Sequence, residues 1–175
     1  MRCIALVGCT GSGKTFRTKQ LISVANPKSL RIFDVNDEYE EFYPNPFNPD
    51  IDLFLENCEG LSNAIILIED ATSFFSTQGR SDRLVKMLIA KRHTNNTYIL
   101  LFHAFADFPK YIYRKCTDII IFKTLDGQKN LDVIGNDQLT EAWQKVQNEC
   151  RGHTFFSTHP PPQGIVPPSV HFKVY

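Results

Sequence analysis

Short apolar runs alternate along this chain with longer stretches whose apolar positions recur every three or four residues. Ile4-Ala5-Leu6-Val7 is one such run; it stops at Gly8 and predicts a buried strand. Proline-free helical sequence follows from Lys14 to about Ala25, and Asn26-Pro27 closes it. Leu30 to Val35 predicts a second strand. The connection from Asp37 to Pro49 is acidic, and Pro44, Pro46 and Pro49 exclude a regular helix there. A short helix fits Ile51 to Asn57. Ala64-Ile65-Ile66-Leu67-Ile68 is the most apolar run and rich in β-branched residues, as expected of a strand buried on both faces. Ser81 to His93 places Leu84, Val85, Leu88 and Ile89 on one helical stripe. Thr97 to Phe102 predicts another strand, Pro109 to Lys115 a short helix, and Asp118 to Phe122 a fifth strand. Asp137 to Cys150 is the clearest amphipathic helix, with Leu139, Ala142, Trp143 and Val146 at helical spacing. Apolar strands alternating with helices imply an α/β fold: a parallel sheet covered on both sides.

The C-terminal part breaks this pattern. His159-Pro160-Pro161-Pro162-Gln163-Gly164 and Pro167-Pro168 form an extended stretch that cannot be helical. It ends in Val170 to Tyr175, which alternates like an edge strand, lying either on its own domain or on a neighbouring subunit. The expected organisation is one domain over residues 1–151 and a proline-rich arm over 152–175.

Composition narrows the function classes. The five cysteines, Cys3, Cys9, Cys58, Cys116 and Cys150, form no CxxC pair, so they read as free thiols in a reducing compartment. No apolar run approaches the ~20 residues that cross a bilayer, and the expectation is an intracellular protein, with virion association as a further option. The net charge of zero conceals a polarised distribution. Residues 1–31 hold six bases and no acid, 32–79 hold eleven acids and no Lys or Arg, and 80 onward holds thirteen bases against eight acids. Such a distribution suits head-to-tail association, in which one charged face meets a different, opposite one.

Gly8-Cys9-Thr10-Gly11-Ser12-Gly13-Lys14-Thr15 fits GxxxxGK[ST] at every fixed position, with a strand entering and a helix leaving. Small residues let backbone N–H groups turn inward around an anion, and the helix N-terminus adds a favourable partial charge. Lys14 is placed to reach the β- and γ-phosphates of ATP, and the Thr15 hydroxyl to ligate Mg²⁺. The cofactor-binding set is therefore Gly8, Thr10, Gly11, Ser12, Gly13, Lys14, Thr15 and the next helical residue, Phe16. A chance glycine-rich turn would lack these flanks.

The other half of such a site is expected at the end of a buried strand beside the first, and Glu69-Asp70 ends the Ile65–Ile68 run. Glu69 is assigned to the metal side and Asp70 to the base that activates water, with the exchange of roles left open. His103 ends the Thr97–Phe102 strand on the same side and is a candidate sensor of the γ-phosphate, or a histidine satisfied locally. Among Arg80, Arg83, Lys86, Lys91, Arg92 and His93, Arg92 is the first choice for an arginine acting on a neighbouring subunit's γ-phosphate. Arg80, Arg83, Lys110, Arg114 and Lys115 are available for nucleic-acid phosphates.

Together these residues, with Asp34-Val35-Asn36-Asp37-Glu38-Tyr39 after the second strand, resemble the FtsK–HerA superfamily, most closely its viral and phage genome-packaging ATPases. The resemblance covers roughly residues 2–123. It implies a three-layer P-loop NTPase fold of the RecA-like (ASCE) kind, with extra strands between the P-loop strand and its acidic partner. It further implies a homo-oligomeric ring, usually a hexamer, that moves double-stranded DNA with ATP, and a capsid or portal partner. In that family an acidic motif follows the second strand, matching Asp34 and Glu38, and a polar residue, often glutamine, stands where this chain has His103. The Glu-Asp order and the short chain depart from the family pattern. Two other classes compete: a small-molecule or nucleotide kinase, and an ATPase of phage morphogenesis. A GTPase is disfavoured, because Lys123-Thr124-Leu125-Asp126 has the wrong spacing for NKxD.

Overall fold

The computed structural model describes residues 1–42, 50–75, 80–132, 134–150 and 168–174, with the side chains of residues 80 and 81 excepted. Pro44, Pro46, Pro49, Gly79, the Arg80 side chain and residues 151–167, which hold most of the proline-rich stretch, lie outside them. Six strands form one sheet: β1 (Arg2–Val7), β2 (Leu30–Phe33), β3 (Ile65–Ile68), β4 (Thr97–Phe102), β5 (Asp118–Ile121) and β6 (Val170–Lys173). Their order is β2-β3-β4-β1-β5-β6, with the first five parallel and β6 antiparallel to β5.

Each central strand is apolar on both sides because helices cover both faces. Cys3, Ala5 and Val7 of β1 face one core, while Ile4 and Leu6 face the other. Helix α1 (Lys14–Ala25) covers the second face through Ile22 and Leu21, against Ile99, Leu101, Ile120 and Phe122. The first face is covered by α2 (Ile51–Cys58), α3 (Thr72–Phe75), α4 (Arg80–Thr94), α5 (Lys110–Tyr113), α6 (Gln128–Asp132) and α7 (Asp137–Glu149). The two long-range halves of the sequence pattern therefore correspond to two cores separated by one sheet.

One expectation changes and one alternative is decided. The acidic strand β3 is not the neighbour of β1, because β4 lies between them, pairing Ile99 with both Ile4 and Leu67. Hydrophobic runs of similar composition carry no label for their order in a sheet, and an arrangement with a strand interposed is the one the family resemblance implied. The alternating C-terminal segment adds an edge strand to its own sheet, with Phe172 opposite Ile119.

The edge is locked by a buried carboxylate. Asp118 accepts from Arg2 Nε at 3.0 Å and Arg2 Nη2 at 2.5 Å, from Thr117 Oγ1 at 2.6 Å, and lies 2.8 Å from His171 Nε2. Burial alone would raise its pKa, but Arg2, Thr117 and His171 outweigh it and hold the carboxyl at about 2. Replacing Asp118 by Asn is expected to cost about 2 kcal/mol at neutral pH, since a charged group linking three strands is lost. The ionised native form binds fewer protons than the unfolded chain, so this contribution is complete above about pH 4 and disappears as pH falls toward 2. Urea denaturation of the two proteins at neutral and acid pH checks both the size and the direction.

Candidate nucleotide-binding site

All five parallel strands end at the same edge of the sheet, and the Gly8–Thr15 loop lies at the end of the central one. Its entrance is fixed by both neighbouring strands: Gly8 N–H donates to the Phe102 carbonyl at 3.0 Å, and Cys9 N–H to the Lys123 carbonyl at 2.8 Å. A side chain at position 8 would place its Cβ 2.6 Å from Phe122 Cβ and 2.6 Å from Ser12 Oγ. Gly8→Ala is therefore expected to destabilise the fold by about 1–3 kcal/mol through overpacking, read as a lowered thermal midpoint. Gly11 (φ 74°) and Gly13 (φ 98°) stand in left-handed conformations that let the loop curl back over α1. Helix α1 has neither a side-chain N-cap nor an acid in its first turn, so its leading N–H groups remain available to an anion.

Lys14 folds into the loop. Its Nζ donates to the carbonyls of Gly8 (2.6 Å) and Cys9 (3.1 Å), and burial lowers its pKa to about 8 against the opposing pull of Cys9, Glu69, Glu38 and Asp70. Thr15 Oγ1 donates to Glu38 Oε2 at 2.7 Å. Glu38 is held there by the turn after β2, which Asp34 organises: its carboxylate accepts from Asn36 N–H at 3.2 Å and Tyr39 N–H at 2.8 Å. Asn36 Nδ2 in turn donates to Glu69 Oε2 at 3.4 Å. Burial, then hydrogen bonding to Glu38 and Asp34 and their charges, raises the Glu69 carboxyl to about 9.

Asp70 takes a left-handed backbone (φ 48°), which turns the chain sharply at the end of β3. Its Oδ1 lies 3.5 Å from His103 Nε2. Burial and the Lys14 charge lower the His103 pKa, while Asp70 and Asp107 pull the other way, so the neutral imidazole is favoured. Among the described residues, Ser12 Oγ, Tyr39 Oη and Asp70 Oδ1 are buried without a hydrogen-bond partner, and Ser12 and Asp70 belong to the loop and the acidic turn. Two orphaned oxygens flanking a lysine and an open helix N-terminus suit a polar ligand. The Thr15, Glu38 and Glu69 oxygens are hard donors of the kind Mg²⁺ prefers.

Comparison with solved structures places this arrangement. The chain superimposes on the DNA-packaging ATPase of Sulfolobus turreted icosahedral virus with a TM-score of 0.68 and 22% identity, over 84% of this chain and 87% of that one. For the genome-packaging NTPase of Sulfolobus turreted icosahedral virus 2 with ATP-γ-S the TM-score is 0.70 at 21% identity, over 83% and 86%. This chain has the P-loop ATPase fold. EssC (ATPases 2 and 3) of Geobacillus thermodenitrificans is more distant, with a TM-score of 0.59 at 14% identity, over 77% of this chain and 34% of that chain. No protein-family model and no curated protein matches the sequence.

Within the P-loop ATPase fold, Lys14, Thr15, Glu69, Asp70 and His103 gather at one edge, linked through Glu38, Asn36 and the charge of Lys14. Thr10 and Gly11 are exposed at the loop tip. Phe16 is exposed on α1 and lines a cavity with Arg17, Gln20, Glu41 and Phe42 that includes neither Glu69 nor Asp70. Arg92 is not brought to Lys14. It lies in the last turn of α4 at the opposite edge, beside Met1 and Thr117. Arg83 is engaged inside the chain, with Nε 3.0 Å from Glu59 and Nη1 donating to the Asp52 carbonyl.

Two residues had no assigned role from sequence. Glu38 was matched only to a family motif, and its contact with Thr15 depends on the Asp34 turn. Asp126 accepts from Phe105 N–H at 2.7 Å and Ala106 N–H at 3.0 Å, joining the loop after His103 to the loop after β5. In the sequence Asp126 stands out only through Lys123-Thr124-Leu125-Asp126, whose spacing does not fit NKxD.

Proposed function

We propose that this chain hydrolyses ATP and couples the reaction to movement of double-stranded DNA, as a genome-packaging motor of a virus or phage. The observation that carries the reading is the lysine-bearing loop facing the Glu69-Asp70 turn of a strand two positions away in the sheet. The loop N–H groups and the start of α1 bind the phosphates, and Lys14 exchanges its two carbonyl acceptors for phosphate oxygens. Mg²⁺, when bound, neutralises charge on the β- and γ-phosphates, with Thr15 and Glu69 the residues that would hold it and Glu38 beside them. Asp70 accepts a proton from the attacking water, and neutral His103, with Nε2 3.5 Å from Asp70 Oδ1 but not hydrogen-bonded to it, reports on the space above.

Two observations support Asp70, rather than Glu69, as the residue on the water. Glu69 is enclosed by other acids, whereas Asp70 leaves the strand in a strained turn with an orphaned oxygen. A ring of identical subunits, with Arg92 acting on the next subunit's nucleotide and a capsid or portal as the docking point, completes the motor, which works inside the host cell or on the assembling virion. In this reading residues 1–151 form the motor domain and 152–175 its arm. Among the described residues no helix is long and apolar enough to cross a membrane. Steady-state ATP hydrolysis with and without duplex DNA tests the coupling: turnover should rise several-fold with DNA and lose that rise as salt increases. Turnover indifferent to DNA at every salt concentration would remove the motor reading and leave a plain ATPase.

A further inference from the structure

At the edge of the sheet opposite the nucleotide site, a cavity of about 550 Å³ opens between the end of α4, the turn after α5 and the starts of β1 and β5. Its lining includes Met1, Lys91, Arg92, Arg114, Lys115 and Thr117 and, among the described residues, no Asp or Glu. Some of these positive groups are already engaged. Lys91 Nζ donates to the Lys115 carbonyl, and the Met1 ammonium donates to Asn95 Oδ1 at 3.3 Å. Arg92 and Arg114 are exposed, and among the described residues neither they nor Lys115 make an ion pair.

Bases at the end of α4 have an ordinary explanation, since the negative end of a helix favours them. That explanation covers Lys91 and Arg92 and reaches Arg114, the C-cap of α5, only through a helix of a single turn; it does not account for Lys115 beside them or for the convergence of the two helix ends on one cavity. Cations converging from two elements, with no Asp or Glu in the lining among the described residues, form an arrangement completed by a polyanion. We propose that this cavity holds the phosphate backbone of double-stranded DNA, an inference that rests on the reading of the chain as a DNA motor. The Arg114 guanidinium fork and the Lys115 ammonium suit phosphate oxygens, and backbone contacts of this kind are independent of base sequence, as a motor that passes over any sequence requires. Strand β1 spans six residues, about 20 Å, between this cavity and the ATP loop, so both ligands fit at once.

The test is fluorescence anisotropy of a short labelled duplex with the full-length chain across a salt series, comparing wild type with the Arg114→Gln, Lys115→Gln double variant. The double variant should bind at least about tenfold more weakly at low salt, and the slope of log affinity against log salt should fall by about 2, one unit per phosphate contact. Binding of a non-hydrolysable ATP analogue should be retained, which reports that the fold is intact. If the double variant loses that binding as well, Arg114→Gln alone, at an exposed position, should still lower the slope by about 1. An unchanged affinity and slope would overturn the cavity assignment while leaving DNA binding in place. No duplex binding by wild type would overturn it together with the motor reading. A variant that keeps its DNA affinity but loses self-association in sedimentation would assign the cavity to the acidic face of a second copy instead.

Discussion

Lys14→Ala should lower ATP turnover by about 10²–10³-fold, the loss typical when a preorganised charge is removed from a phosphate-transfer site. The lysine is placed for this in the ligand-free protein, with its ammonium buried against the Gly8 and Cys9 carbonyls. Because burial lowers its pKa to about 8, the charge is held at a cost that a bound triphosphate removes. Thermal stability without nucleotide should change little, since two lost hydrogen bonds are offset by relief of the buried charge. The stabilisation that a nucleotide confers should disappear. Turnover, and thermal melts with and without an ATP analogue, read both parts. A variant that retained wild-type turnover would show that Lys14 serves the loop's structure alone.

Glu69→Gln has the second large effect, and its sign differs between activity and stability. Turnover should fall by about 10²-fold, because the neutral amide cannot support the cation that the phosphates need. Stability of the nucleotide-free protein should move the other way. The folded carboxyl is raised from 4.5 to about 9, so between those pH values the folded protein holds more protons than the unfolded chain. Stability from this group therefore falls as pH rises through that window. The glutamine variant should lack this fall and melt higher than wild type at alkaline pH. A wild-type profile that rises between pH 5 and 9, or a variant with the same slope, would show that Glu69 is ionised in the apo protein. Asp70→Asn separates the two acids: it should abolish turnover while leaving the alkaline fall in stability intact.

Much of the fold was legible because local pattern and tertiary burial agree. The helix predicted from Lys14 to about Ala25 and the strand from Thr97 to Phe102 have those bounds in the structure, where a glycine or Asn-Pro breaks the chain and where both faces are buried. Helix α3, the 3-10 turn at Phe105–Asp107 and α6 were not anticipated, since three to five residues are too few to show a period. Strand order was legible only through resemblance. Nothing in Ile65–Ile68 or Tyr98–Phe102 says which run pairs with β1.

The site divides in the same way. The phosphate loop announces itself because its chemistry is contiguous in sequence, and Glu69-Asp70 stand out because acids rarely end so apolar a strand. Glu38 lies among Asp37, Glu40 and Glu41, where composition alone cannot choose one acid over another. What selects it is the Asp34 carboxylate, which ties Asn36 and Tyr39 into a turn aimed at Thr15. Arg92 illustrates the converse: its position at the end of α4 was correctly anticipated, but the edge of the sheet it occupies is fixed by parallel topology.

The central claim is that one nucleotide is shared by the Gly8–Thr15 loop and the Glu69-Asp70 turn across an intervening strand. A crystal structure with Mg²⁺ and a non-hydrolysable ATP analogue measures this directly. The γ-phosphate should contact Lys14 Nζ, the cation should lie between the Thr15 hydroxyl and the Glu69 side, and a water should sit between Asp70 and the phosphorus. A nucleotide bound elsewhere, or one whose γ-phosphate is out of reach of both acids, would contradict it.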